Sequence, residues 1–190
     1  MRRVWIAALA GAVALAAGAC GGDDGDEEST NTTTASSTSA PSTTLDEETQ
    51  KEEAATAAYL MYDEAFFKSA ADPVNPRLPE LQALVTGSQQ ALVTRNLVEM
   101  RANGQAVRLP RGSQARQDLR LVELQTDGSV EITSCEVDDS IVYEVATGVV
   151  INDDIVTNLI STTMVNQDDR WKLTFSERRK RWPGIVECEV

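Results

Sequence analysis

The chain contains no histidine. That removes the commonest general base, and with it Ser-His-Asp and Cys-His catalysis and the helical His-Glu-x-x-His zinc site. No glycine-rich phosphate loop is present either. Asp153-Asp154 and Asp168-Asp169 are acidic pairs without the spacing of a calcium loop, and they read as turn residues. No metal and no cofactor is implied. The one basic run in the acidic carboxy-terminal region is Arg178-Arg179-Lys180-Arg181-Trp182. It reads either as a solvated loop or as a contact surface for anionic lipid headgroups or wall polymer, where bases near a charged surface add attraction. Thiol chemistry is bounded by the cysteines, which are three: Cys20, Cys135 and Cys188. An odd count leaves one of them outside any intramolecular pair.

The amino terminus says which one. Met1-Arg2-Arg3 is a short basic stretch, and Val4 to Ala19 is an apolar run of sixteen residues. A span of the ~30 Å hydrocarbon core needs about 20, so the run fits an export signal better than a membrane helix. Ala17-Gly18-Ala19-Cys20 resembles the bacterial lipobox, in which small residues precede a cysteine that is diacylated before cleavage; Ala17 stands where that pattern usually has leucine. The resemblance implies a signal peptide over 1–19, palmitate-type acylation of Cys20, and a protein lipid-anchored at the extracytoplasmic face of the cell membrane. Two acyl chains hold a protein there where one is marginal. The alternatives are a plain secretory signal cut after Ala19 and an uncleaved anchor. With Cys20 lipidated in an oxidising compartment, Cys135 and Cys188 remain to form a disulfide, the alternative being two separate buried thiols. Closing that 53-residue separation is worth about 4 kcal/mol in the loop-entropy picture.

Thirty acids against seventeen bases give a net charge of −13. Ten of those acids and a single lysine lie between residues 21 and 53, so the remainder from residue 54 onward carries only −6. A chain this acidic repels phosphate backbones, which excludes nucleic acid as a partner. Asp23 to Asp46 has one leucine, no aromatic residue and many Ser and Thr. Such a segment cannot bury enough apolar surface to offset its chain entropy, so residues 20–46 are expected to form a disordered tether with a reach of roughly 25–30 Å. Its Thr/Ser cluster is either a glycosylation target or an inert spacer.

The domain is expected over 47–190. Ala55, Ala58, Tyr59, Tyr62, Ala65 and Phe66 recur at three- and four-residue steps, predicting a helix from about Glu48 to Ala70 that Asp72-Pro73 ends. Pro79 opens a short helix stopped by Gly87. Ser88 caps a third, with Val93, Leu97 and Met100 inward and Asn103-Gly104 closing it. Beyond Gly104 the period falls to two. Leu119 to Thr126 and Ser129 to Val137 flank Asp127-Gly128, a hairpin signal. Ile141 to Ile151 and Ile155 to Val165 follow, joined by Asn152-Asp153-Asp154, and then Trp171, Leu173 and Phe175 alternate with polar residues. Helices followed by a run of antiparallel strands predict an α+β fold, with N-terminal helices packed on one face of a curved antiparallel sheet.

This order, together with Leu81-x-x-Leu84-Val85-Thr86-Gly87, Cys135-x-x-Asp138, Thr147-Gly148, Arg170-Trp171-Lys172-Leu173 and Gly184-x-x-x-Cys188, is similar to the nuclear transport factor 2-like, or cystatin-like cone, domains of exported actinobacterial lipoproteins. The resemblance covers about residues 50–190 and speaks to fold more than to activity, because the fold hosts many functions. Enzymes of that superfamily, such as ketosteroid isomerase and scytalone dehydratase, work inside the cone with carboxylates and tyrosines. The resemblance therefore implies an acid among Asp63, Glu64 and Glu144, and a donor among Tyr59, Tyr62 and Tyr143, as candidate pocket residues. A carboxyl held among apolar side chains has a raised pKa and serves as a base. The plain alternative makes them surface acids and packing tyrosines. Three functions remain open: a non-enzymatic module of the cell envelope binding a small apolar ligand or an envelope protein, an isomerase- or dehydratase-type enzyme, and a structural part of an envelope assembly. The first two require a concave pocket; the third requires a filled cone and an exposed apolar patch.

Overall fold

Two different spacings of small and aromatic side chains set the first and second halves of the domain, and the computed structural model describes them over residues 43–188, with side chains from residue 47. The expected signal peptide, Cys20 and nearly all of the tether lie outside the described residues. Helix α1 spans Thr43–Ala70. It begins a few residues inside the segment assigned to the tether, because the Glu- and Ala-rich stretch after Leu45 is a good helix former. Ala55, Ala58, Tyr59, Ala65 and Ala70 form its buried stripe. Glu52 accepts a hydrogen bond from the Leu124 amide at 3.0 Å, which fixes this helix against the sheet near its start. No helix among the described residues is long and apolar enough to cross a membrane.

Helix α2 is Pro79–Ala83 and α3 is Gly87–Ala102. The expected cap at Ser88 is absent. Gly87 begins α3 rather than ending α2, and Thr86 precedes it without a side-chain cap, donating instead to Gln167 Oε1 at 3.1 Å. The cause is tertiary: Val85 forms a parallel bridge with Leu173, and the Thr86 amide bonds the Leu173 carbonyl at 3.0 Å. The chain is thereby held until a residue with φ of +58°, Gly87, can turn it into the helix.

The strands form two antiparallel sheets. β1 (Gln105–Arg108), β4 (Ile141–Glu144) and β5 (Val150–Asn152) make a small one in the order β1-β4-β5. β2 (Arg116–Leu124), β3 (Val130–Asp138), β6 (Val156–Gln167) and β7 (Arg170–Pro183) make the larger, in the order β2-β3-β6-β7. The fold is α+β, as the element order predicts. The stretch from Ile141 to Ile151, expected as one long strand, is instead a short hairpin, because Gly148 at φ of +72° and Thr147, bonded to Glu144, turn the chain. Asn152-Asp153-Asp154 then carries it from the small sheet to the large one.

Bulges decide which side chains face inward. Met164 pairs with Leu173 and Thr163 with Phe175, so Thr174 is an extra residue that reverses the alternation. Trp171 and Leu173 are buried while Phe175, expected beside them, is 49% exposed. Arg120 on β2 and Arg179 on β7 are extra residues in the same way. The main core lies between the helices and the inner face of the large sheet, with Leu81, Leu97, Ile132, Met164 and Leu173 at its centre.

The outer face of the same sheet carries a second, smaller core. Cys135 is bonded to Cys188, and Leu159 and Trp182 pack around them. The Thr157 hydroxyl donates to the Gly184 carbonyl at 2.8 Å and accepts from the Val186 amide at 3.1 Å. Residues 184–188 are thus strapped across the outer face.

Candidate functional site

Along β3, Val130, Ile132, Ser134, Glu136 and Asp138 share the inner face, since strand side chains alternate. Toward its amino-terminal end that row is apolar and packed into the core. Toward its carboxy-terminal end it becomes acidic, and there α1 and the sheet part to leave a cavity of about 430 Å³. Tyr59, Tyr62 and Asp63 enter it from α1, with Phe66 and Phe67 one turn further along. Gln117 enters from β2, Glu136 and Asp138 from β3, and Asn158 and Ile160 from β6. Asn158 is directly opposite Glu136 in the β3–β6 pairing, and paired side chains lie on one face.

The cavity floor is a polar network. Glu136 Oε1 accepts from the Tyr59 hydroxyl, from Ser134 Oγ at 2.7 Å and from Gln117 Nε2 at 2.9 Å. Tyr59 Oη also lies 2.8 Å from Ser134 Oγ. Charge-assisted bonds of this kind are short and strong. Burial, reinforced by the Glu136 charge, pushes the Tyr59 hydroxyl far above its ordinary pKa, so it is a donor and never a phenolate. Burial likewise pushes Tyr62 up to about 12.

Asp63 differs from the other acids of the site. Burial, then the Glu136 and Asp138 charges, raise its pKa from 3.8 to about 6. Burial disfavours the ion, and two like charges add to the cost. At neutral pH its ionised form therefore sits in unfavourable surroundings, poised to take a proton or to receive a positive group. Of the residues lining the cavity Arg116 is the one base, and it pairs with Asp118 at 3.1 Å. Asp118 is opposite Cys135, hence on the outer face.

Asn158 completes the site. It is 7% exposed, and its Oδ1 has no hydrogen-bond partner among the described residues. A buried acceptor without a donor costs about 1–3 kcal/mol.

The residues singled out from sequence are thus partly brought together. Tyr59, Tyr62 and Asp63 share the cavity; Tyr143 does not line it. Tyr143 is on β4 of the small sheet, with the Arg108 guanidinium 4.6 Å from its ring centroid. Glu64 is exposed and lines a different cavity, with Arg170 and Trp171 of β7. Glu144 is taken up by Thr147 in the β4–β5 turn. Asp168 and Asp169 are turn residues with φ of 55° and 59°. No group of three or more metal-ligating side chains is gathered to hold an ion among the described residues.

The basic run is not a loop. It lies on β7, an edge strand, and its side chains divide between two faces. Arg178 and Arg181 pair with Ile160 and Asn158 on the inner face, whereas Lys180 and Trp182 pair with Leu159 and Thr157 on the outer. Lys180 Nζ sits 5.9 Å from the Trp182 ring centroid. Trp182 is packed beside the disulfide rather than free to enter an interface.

Glu136, Gln117 and Asn158 were missed from sequence. A signal existed for one of them: Glu136 is in phase with Val130 and Ile132, an acid on an inward row.

No family model matches the chain, and no curated protein matches it. A crystal structure of the intermembrane-space region of the chloroplast protein ARC6 matches with a TM-score of 0.54 at 13% identity, over 66% of this chain and 95% of that one. At that identity the likeness is one of fold.

Proposed function

We propose that this chain is a ligand-binding module of the cell envelope, lipid-anchored through Cys20 and working at the extracytoplasmic face of the membrane, with a nuclear transport factor 2-like cone as its domain. The observation that carries the binding role is the cavity between α1 and the large sheet, in which an aromatic wall meets a polar floor and a buried acceptor lacks its donor. Its volume falls in the range of small-molecule sites. The Cys135–Cys188 disulfide supports an oxidising compartment. One fold neighbour is described as an intermembrane-space region. Native mass spectrometry of the protein purified from its own envelope tests the reading. A stoichiometric extra mass that is lost on denaturation is the expected result, and a bare protein mass refutes ligand carriage.

One observation favours a second reading. Asp63, with its pKa raised to about 6, stands in a cavity with Tyr62, as a general base and a donor would. On that reading the module is a proton-transfer enzyme of the isomerase or dehydratase kind. Turnover lost in Asp63→Asn while ligand occupancy persists would separate catalysis from carriage.

A further inference from the structure

The cavity has three chemical features that a single ligand must answer. Asp63, Glu136 and Asp138 bring three carboxylates to it, against one lining arginine, Arg116, which pairs with Asp118; Arg178 and Arg181 of β7 share the inner face but do not line the cavity. The charges acting on Asp63 are those of the other two acids. Independently of charge, Asn158 is more than nine-tenths buried and lines the cavity, and its carbonyl oxygen, itself closed off from solvent, has no donor among the described residues. Glu136 takes Tyr59, Ser134 and Gln117 all on Oε1, so its Oε2 is left as a further acceptor for a ligand's donors beside Asp63. The third feature is apolar: Tyr62, Phe66 and Phe67 form a continuous aromatic wall, their successive ring centroids 6.3 and 6.1 Å apart.

We propose that the cavity takes a small organic cation, a protonated amine on an apolar body, with its N–H groups directed to Asp63 and, as the Asn158 amide turns toward it, to the Asn158 carbonyl, and its body against the aromatic wall. An anion would meet three carboxylates. A hydrocarbon would leave the Asn158 carbonyl unpaired, and a quaternary ammonium has no N–H to give it. A primary or secondary ammonium, a donor with no acceptor, answers both polar features at once. Aromatic faces favour the cation further. The inference rests on the ligand-binding reading above and names its ligand class.

Calorimetric titration of the purified full chain with three probes of one shape tests it: phenethylamine, phenethyl alcohol and hydrocinnamate. The amine is expected to bind at least about tenfold more tightly than the alcohol, the margin of one charge-assisted hydrogen bond, and the carboxylate not at all. Asp63→Asn should bring the amine down to the alcohol, and Asn158→Leu should weaken the amine by about tenfold. Equal binding of amine and alcohol, tighter binding of hydrocinnamate, or an amine affinity indifferent to Asp63→Asn overturns the inference. A neutral or anionic molecule carried by the envelope-purified protein overturns it while leaving the ligand-binding reading in place. Failure of all three probes, with no native ligand mass, removes both.

Discussion

Replacing Asp63 by asparagine should stabilise the domain at neutral pH, and the gain should vanish in acid. The folded state raises the Asp63 pKa from 3.8 to about 6, which means that ionised Asp63 is worse off folded than unfolded. At about 1.4 kcal/mol per pH unit the difference sets a ceiling of about 3 kcal/mol. The carboxyl is only partly buried, and solvent screening brings the expected gain to about 1–2 kcal/mol. The sign follows from linkage. A raised folded pKa favours the native state while the group is protonated, below 3.8, and that advantage is lost as pH rises to about 6. The wild-type chain should therefore lose stability relative to Asp63→Asn across that window and run parallel to it above. Urea denaturation of both proteins at a series of pH values from about 3.5 to about 8 measures this directly. A variant that is no more stable than wild type at the upper end, or a difference that does not change with pH, would show that Asp63 is solvated and that the cavity's electrostatics are misread.

Tyr59→Phe removes the hydroxyl that donates to Glu136 and contacts Ser134, and should cost about 1–3 kcal/mol in denaturant titration. Asn158→Leu removes a buried acceptor that has no partner and should leave stability unchanged or raise it by about 1 kcal/mol, whereas a loss of several would mean the carbonyl is satisfied. Replacing Cys135 and Cys188 together by serine opens a 53-residue closure and should lower stability by about 4 kcal/mol, read from the denaturation midpoint. Phe175→Thr should change stability by less than about 0.5 kcal/mol, since the Thr174 bulge turns that ring outward; a loss of about 3 kcal/mol would place it in the core.

Helix faces were readable because a helix's buried stripe depends only on spacing along one segment: Ala55, Ala58, Tyr59 and Ala65 are where the three- and four-residue steps put them. The Asp127-Gly128 turn was readable for the same local reason, Gly128 having a φ of +81°. The disulfide partners followed from counting once Cys20 was set aside for the expected lipid. Strand facing was not readable beyond the first bulge. Thr174, Arg120 and Arg179 each shift the phase by one residue, and no local signal marks an extra residue whose existence depends on the partner strand. The candidate site shows the same limit. Tyr59, Tyr62 and Asp63 share a helix segment and arrive together, whereas Tyr143 was chosen by residue type and lies in the other sheet. Asn158 and Glu136 meet only through the β3–β6 register, a relation between residues 22 apart that neither segment records by itself.

The position of β7 at the rim of the large sheet has a consequence for how copies of the protein meet. A rim strand offers unpaired backbone groups to any passing chain, and an identical copy is the neighbour most often at hand. Beyond Leu173, whose edge Val85 covers, that rim bears Arg178, Arg179, Lys180 and Arg181 against one acid, Glu177, which pairs with Arg179. Two such rims brought side by side would juxtapose bases with bases, at a cost that grows as they approach. The bulges at Thr174 and Arg179 also bend the strand away from the straight line that sheet extension requires. The same charges that single this segment out in an acidic chain therefore oppose the pairing of two copies through β7.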